Sequence, residues 1–131
     1  VNLRLISQTL QPSDAAHVSR ETRAVLGGAL LGRPSGLTVP LWPVQRICAP
    51  VLGAGAAVIE ESWQADQTLI SGQSEGIAWS RAGKLLYGVI ELDESLFAAS
   101  PASTPLQAAS NEAYRRIFRL LEAQQVPHLW R

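Results

Sequence analysis

The chain has 131 residues, enough for one domain with a real core. It is 47% hydrophobic and 17% charged, and eleven basic side chains cancel eleven acidic ones. That balance predicts a folded chain and argues against nucleic acid as the main partner. No apolar run approaches the roughly 20 residues that a helix needs to span a bilayer.

In chain order, Val1 to Leu10 alternates imperfectly and is rich in strand formers, so a strand is predicted. Pro12-Ser13-Asp14 breaks it. Ser13 or Asp14 then caps a predicted short helix through Leu26, with a thin apolar face of Ala15, Val18, Thr22 and Val25. Gly27 to Gly36 holds four glycines and Pro34 and reads as turn or loop. Pro40 and Pro43 bracket Trp42 and favour extended backbone. Arg46 to Val51 reads as a short strand, confined to an edge by Pro50. Gly53 to Ala57 reads as a flexible link into a strand over Val58 to Trp63, and Thr68 to Gly72 begins another pairing segment.

The best hairpin signal follows. Gly76 to Ser80 and Leu85 to Leu92 flank Arg81-Ala82-Gly83-Lys84, where Gly83 supplies the positive φ of a tight loop. Ile77 and Trp79 share a face of the first strand. In the second, Leu86, Ile90 and Leu92 share one face and Leu85, Tyr87 and Val89 the other. Apolar residues on both faces predict a central strand. Asp93, Glu94 and Ser95 end it, and Phe97 to Ser103 is a loop of mostly small residues.

Thr104 to Gln125 is the clearest element. Thr104 caps, Pro105 suits the first helical position, and Gln107 completes a T-x-x-Q capping box. Leu106, Ala109, Ala113, Tyr114, Ile117, Phe118, Leu120 and Leu121 recur at helical spacing and predict one broad apolar face for the rest of the chain to cover. Asn111, Glu112, Arg115, Arg116, Arg119 and Glu122 lie opposite, with Glu112 in i+4 reach of Arg116. Pro127 bars the helix from running past Val126. Strands followed by one long helix predict an α+β domain over residues 1–131, a mostly antiparallel or mixed sheet with the helix packed on a face.

No strong catalytic motif is visible. His17 and His128 lack a ligand at i+3 or i+4, which favours structural or solvent-facing roles over metal binding. Gly53-Ala54-Gly55 matches half of a dinucleotide fingerprint, but Val58 stands where the third glycine or alanine belongs, so a flexible turn is the better reading. Ser71-Gly72-Gln73 lacks the leading glycine of a nucleophile elbow. Glu60, Glu61, Glu91, Asp93 and Glu94 include possible acids or bases, but they read first as solvated strand ends. Cys48, the one cysteine, follows Arg46 closely and reads first as a small buried hydrophobe. It also makes a reducing cytoplasm the default location. Arg115, Arg116 and Arg119, interleaved with glutamates, suit a solvated or interface face better than an anion patch. The chain has no methionine, and Pro127 to Arg131 reads like the start of a strand. Both features suggest a piece of a longer protein that continues past Arg131.

Taken together, Leu85 to Glu94 (LLYGVIELDE), Pro105 to Gln124 (PLQAASNEAYRRIFRLLEAQ) and Pro127 to Arg131 (PHLWR) resemble the amino-terminal domain of chorismatases. Glu60 to Trp63 (EESW) and the Gln73 to Gly83 hairpin fit the same order, whereas residues 1–59 are only compatible with it. The resemblance implies a RidA/YjgF (chorismate-mutase)-like fold and a two-domain enzyme with no metal or redox cofactor. Such enzymes release pyruvate from chorismate and leave a cyclohexadiene diol or a hydroxybenzoate. The branch it most resembles is the hydroxybenzoate-forming type of the xanthomonadin and ubiquinone pathways. Most of the chorismate site, with its acid, is expected in a second domain after Arg131. Within this chain only Arg131 is a candidate to touch substrate. The expected partners are that second domain, chorismate and, as a homotrimer, further copies. Neither nucleic acid nor a membrane is expected. The alternative is a RidA-like imine or enamine deaminase or a small-ligand-binding trimeric module. The deaminase depends on an arginine in a late P-x-R-T-type strand, which is missing here.

Overall fold

Seven strands and one long helix make up the computed structural model, which describes residues 1–11, 24–33, 40–53, 55 and 57–126. The predicted helix from Ser13 or Asp14 lies largely outside the described residues. Its last two positions, Val25 and Leu26, are strand.

Strands β1 (Leu3–Leu10), β2 (Val25–Leu31), β3 (Val44–Ile47) and β4 (Val58–Ala65) form one mixed sheet in the order β1-β4-β2-β3. β1 and β2 both run antiparallel to β4, and β3 runs parallel to β2 at the edge. The prolines around β3 suit that edge, since a missing N–H costs least there. β5 (Ile70–Ser74), β6 (Ile77–Ala82) and β7 (Leu85–Ile90) form a second, antiparallel sheet in that order. Its turns follow local chemistry. Glu75 and Gly76 both have positive φ, at 54° and 72°, the requirement of a type I′ hairpin. Gly83, at φ 57°, opens the two-residue turn between Ala82 and Leu85.

The chain is therefore layered. Helix α1 (Pro105–Ala123) packs on one face of the three-stranded sheet, where Ile77, Trp79 and Leu120 are buried with help from Leu86, Ile90 and Ile117. The opposite face meets the four-stranded sheet through Leu26, Ala65 and Ala82, flanked by Leu69, Leu85 and Tyr87. Leu10, Val25, Leu30, Trp42 and Val58 form a third cluster. Fully burying a leucine such as Leu120 contributes about 1.5–3 kcal/mol.

Four expectations need correcting. The glycine-rich stretch expected as loop from Gly27 opens instead as strand β2, buried along most of its length. Its glycines are contact points. A Cβ on Gly27 would sit 2.0 Å from Tyr87 Cδ1, and one on Gly28 would sit 2.0 Å from the Glu61 carbonyl oxygen. Second, β6 rather than β7 is the central strand. The apolar residues on both faces of β7 reflect layers above and below it, α1 on one side and the other sheet on the other. Third, α1 does not bury its whole apolar face: Leu106, Tyr114 and Phe118 stay 62%, 59% and 50% exposed. Fourth, Cys48 is exposed, and Glu60 is not a solvated strand end but fully buried. Glu60 lies midway along β4, paired with Gln8 on one side and Leu30 on the other. Gln8 Nε2 donates to its Oε1 at 2.9 Å, while Glu60 Oε2 and the nearby Ser62 Oγ have no hydrogen-bond partner among the described residues.

Both helix ends follow the sequence. Thr104 Oγ1 accepts from the Gln107 N–H at 3.2 Å, and Gln107 Oε1 accepts from the Thr104 N–H at 2.9 Å, closing the capping box. At the other end Gln125 has φ 53°. The N–H of Val126 donates to Leu121 O and that of Gln125 to Glu122 O, a Schellman pattern with glutamine where glycine is usual. Arg81 Nη1 donates to the Gln124 carbonyl, tying the β6–β7 hairpin to the helix C-terminus.

Candidate functional site

Trp42, at a bend between Pro40 and Pro43 rather than in the extended backbone expected there, is 4% exposed and packs with Leu10, Val25, Leu30 and Val58. Its anchoring sets the start of β3 beside the three-stranded sheet. Between them opens a cleft of about 590 Å³. Trp42, Pro43 and Arg46 line one side, and Gln73, Val89 and Glu91 the other. That volume falls within the range of small-molecule sites. Arg46 and Glu91 are exposed, and neither forms an ion pair among the described residues. Ser71 also lines the cleft, but its hydroxyl lies 3.0 Å from Ser80 Oγ and is already engaged. Among the described residues the lining has one cation, one carboxylate and an amide. It can hold a polar ring-sized molecule. Among the described residues it shows no nucleophile–base pair.

The described residues do not bring the other candidates together into a second site. Arg131, the proposed substrate contact, and His17 and His128 lie outside the described residues. No group of three metal-ligating side chains occurs among the described residues. Gly53 and Gly55 have φ 80° and 60°, and β4 follows them, so no helix N-terminus waits for a pyrophosphate. Ser71 sits within β5, not at a strand-to-helix elbow. Arg115 and Arg116 each pair with Glu112 at 2.8 Å, and Arg119 pairs with Glu75 at 3.3 Å. Arg115 and Arg116 thus share one carboxylate of the helix, as the interleaved Glu112 suggested, whereas Arg119 finds its partner on the β5–β6 turn rather than in Glu122. Arg116 is the main cause that holds the Glu112 carboxyl below its ordinary value. Asp93 is held low by the Ser95 that it caps. Glu61 is half-buried, and Glu94 is exposed.

A second surface is the uncovered stripe of α1. Tyr114 and Phe118 stack there with ring centroids 6.4 Å apart, and Leu106 continues the stripe toward the helix N-terminus. Among the described residues no helix is long and apolar enough to cross a membrane.

A family model described as "Chorismatase FkbO/Hyg5-like, N-terminal" matches residues 61–131, more than half of the chain. The chain belongs to this family. The matched part of this chorismatase N-terminal domain runs from within β4 through the three-stranded sheet and α1. It includes Gln73, Val89 and Glu91 of the cleft but not Trp42 or Arg46. Neither the curated proteins nor the solved structures contain a significant match to the chain. In the sequence Arg46 stands out as the start of a short predicted strand and a neighbour of Cys48, and Glu91 as a strand residue and one of five possible acids or bases. Nothing in their spacing marks two residues 45 positions apart as one site.

Proposed function

We infer that this chain is the amino-terminal domain of a two-domain chorismatase that converts chorismate to pyruvate and a hydroxybenzoate, 3- or 4-hydroxybenzoate or both. The observation that carries this reading is the family match over residues 61–131. The chemistry belongs to the second domain. There, arginines and backbone donors bind the two carboxylates of chorismate, a carboxylic acid protonates the enol ether, and water attacks the activated carbon. On this reading the domain is inactive alone and serves packing and assembly. The exposed Leu106, Tyr114 and Phe118 suit contact with another domain or subunit. A RidA/YjgF-like fold, a homotrimer, a cytoplasmic location, a place in xanthomonadin-type pigment or ubiquinone synthesis, and a substrate contact by Arg131 belong to the same reading.

Pyruvate release from chorismate tests it, on this chain alone and on the longer gene product. Turnover by the longer protein only is the expected result. Turnover by this chain alone would overturn the division of labour, and no turnover by either would overturn the chorismatase reading. Deamination of an imino acid by this chain would instead favour the RidA-like alternative.

A further inference from the structure

We propose that the cleft between the two sheets binds a small ring-bearing monocarboxylic acid that carries a hydrogen-bond donor away from its carboxylate, with Arg46 taking the carboxylate and Glu91 the donor.

The cleft holds about 590 Å³, ample for a single six-membered ring with substituents. Its lining mixes polar and apolar surface, with Trp42, Pro43 and Val44 on one side and Ala78 and Val89 on the other offering a ring apolar contact. The polar groups are few and of opposite sign. Arg46 forms no ion pair among the described residues, unlike the three arginines of α1. A guanidinium left uncommitted at a cleft suits a planar carboxylate, which it can engage through two parallel hydrogen bonds. Glu91 can only accept when ionised, so it selects a hydroxyl or amino group. It also selects against ligands, because a second carboxylate or a phosphate placed near it is repelled. Gln73 can donate or accept, and it completes the polar rim. The buried Trp42 and Pro43 anchor the start of the strand that carries Arg46.

4-Hydroxybenzoate, the probe that has the full pattern, is also a product under the chorismatase reading, so the ligand class rests in part on that reading, whereas binding at the cleft is tested separately from turnover. Chorismate carries two carboxylates, so it is not the ligand favoured here, and failure of turnover by the longer protein would leave the cleft untouched. The test is titration of this chain with four probes, followed by calorimetry and by the indole N–H resonances of Trp42 and Trp79. 4-Hydroxybenzoate has the full pattern, benzoate lacks the donor, phenol lacks the carboxylate, and terephthalate adds a second carboxylate. 4-Hydroxybenzoate is expected to bind at least tenfold more tightly than any of the other three. Arg46→Gln should weaken it at least tenfold. Glu91→Gln should narrow its advantage over terephthalate. No saturable binding of 4-hydroxybenzoate up to several millimolar, or equal binding by Arg46→Gln, would overturn the proposal. Arg46 and Glu91 are both exposed, so the variants should fold. If either does not, the unmodified chain still decides: the indole resonances must shift on titration, and shifts confined to other residues would overturn the proposal.

Discussion

Replacing Gly27 by alanine tests the account of how the two sheets meet. A Cβ at this position would lie 2.0 Å from Tyr87 Cδ1, 2.4 Å from Cε1 and 2.6 Å from Cγ. Carbon atoms in good contact are about 3.5–4.0 Å apart, so the ring must move by well over an ångström. Tyr87 cannot move freely, because its hydroxyl donates to the Gly28 carbonyl at 2.9 Å and its ring packs against the cluster of Leu26, Ala65 and Ala82. Overpacking of this kind costs about 1–3 kcal/mol. Losing the hydrogen bond adds about 0.5–1.5 kcal/mol. Against that, alanine restricts the unfolded chain and recovers about 0.4–1 kcal/mol. The net expectation is a loss of about 2 kcal/mol, or roughly 6–10 °C in Tm for a domain of this size. Urea denaturation of the wild type, Gly27→Ala, Tyr87→Leu and the double variant measures it. Shortening the ring should remove the clash, so Gly27→Ala should cost at least about 1 kcal/mol less in the Tyr87→Leu background. An equal penalty in both backgrounds, or a single-variant loss under about 0.5 kcal/mol, would refute the argument.

Four further expectations follow from the same contacts. Gln125→Gly should stabilise by about 0.5–1 kcal/mol in thermal unfolding, because Gln125 holds φ 53° in the Schellman turn and glycine does so without strain. Leu120→Ala should cost about 3 kcal/mol and weaken the near-ultraviolet circular dichroism of Trp79, since Leu120 is 2% exposed against Ile77 and Trp79. Burial pushes the Tyr87 phenol above its ordinary 10.0. Its contribution is fully present below that pH and is lost as pH rises through the folded value, so Tyr87→Phe should abolish that part of the alkaline destabilisation. Glu112 is displaced the other way, below its ordinary 4.5 and chiefly by its hydrogen bond from Arg116. Its contribution is present above that value and is lost as pH falls through the folded one, and Glu112→Gln should flatten this acid limb of a stability–pH curve.

The sequence by itself determined what is local. Thr104, Pro105 and Gln107 define the helix start within four residues, and Gly83 sets a turn that its immediate neighbours close. Both are settled by backbone hydrogen bonds and dihedral preferences over a few positions, so a linear reading finds them. The family, too, was legible, because its motifs lie in order along β7 and α1. Only the tertiary structure decided the rest. Gly27 and Gly28 read as loop because glycine is locally permissive, yet their lack of a side chain serves Tyr87, some 60 positions away, and the Glu61 backbone. The two apolar faces of β7 are the same pattern for a central strand and for an edge strand between two layers, so only packing could choose. Glu60 is buried because it shares its face of β4 with Val58 and lies beside Leu30, both in a buried apolar cluster, which its own charge does not reveal. The cleft that joins Arg46 to Glu91 exists for the same reason: pairing, layering and burial depend on residues far apart in the chain, and their approach leaves no trace in spacing.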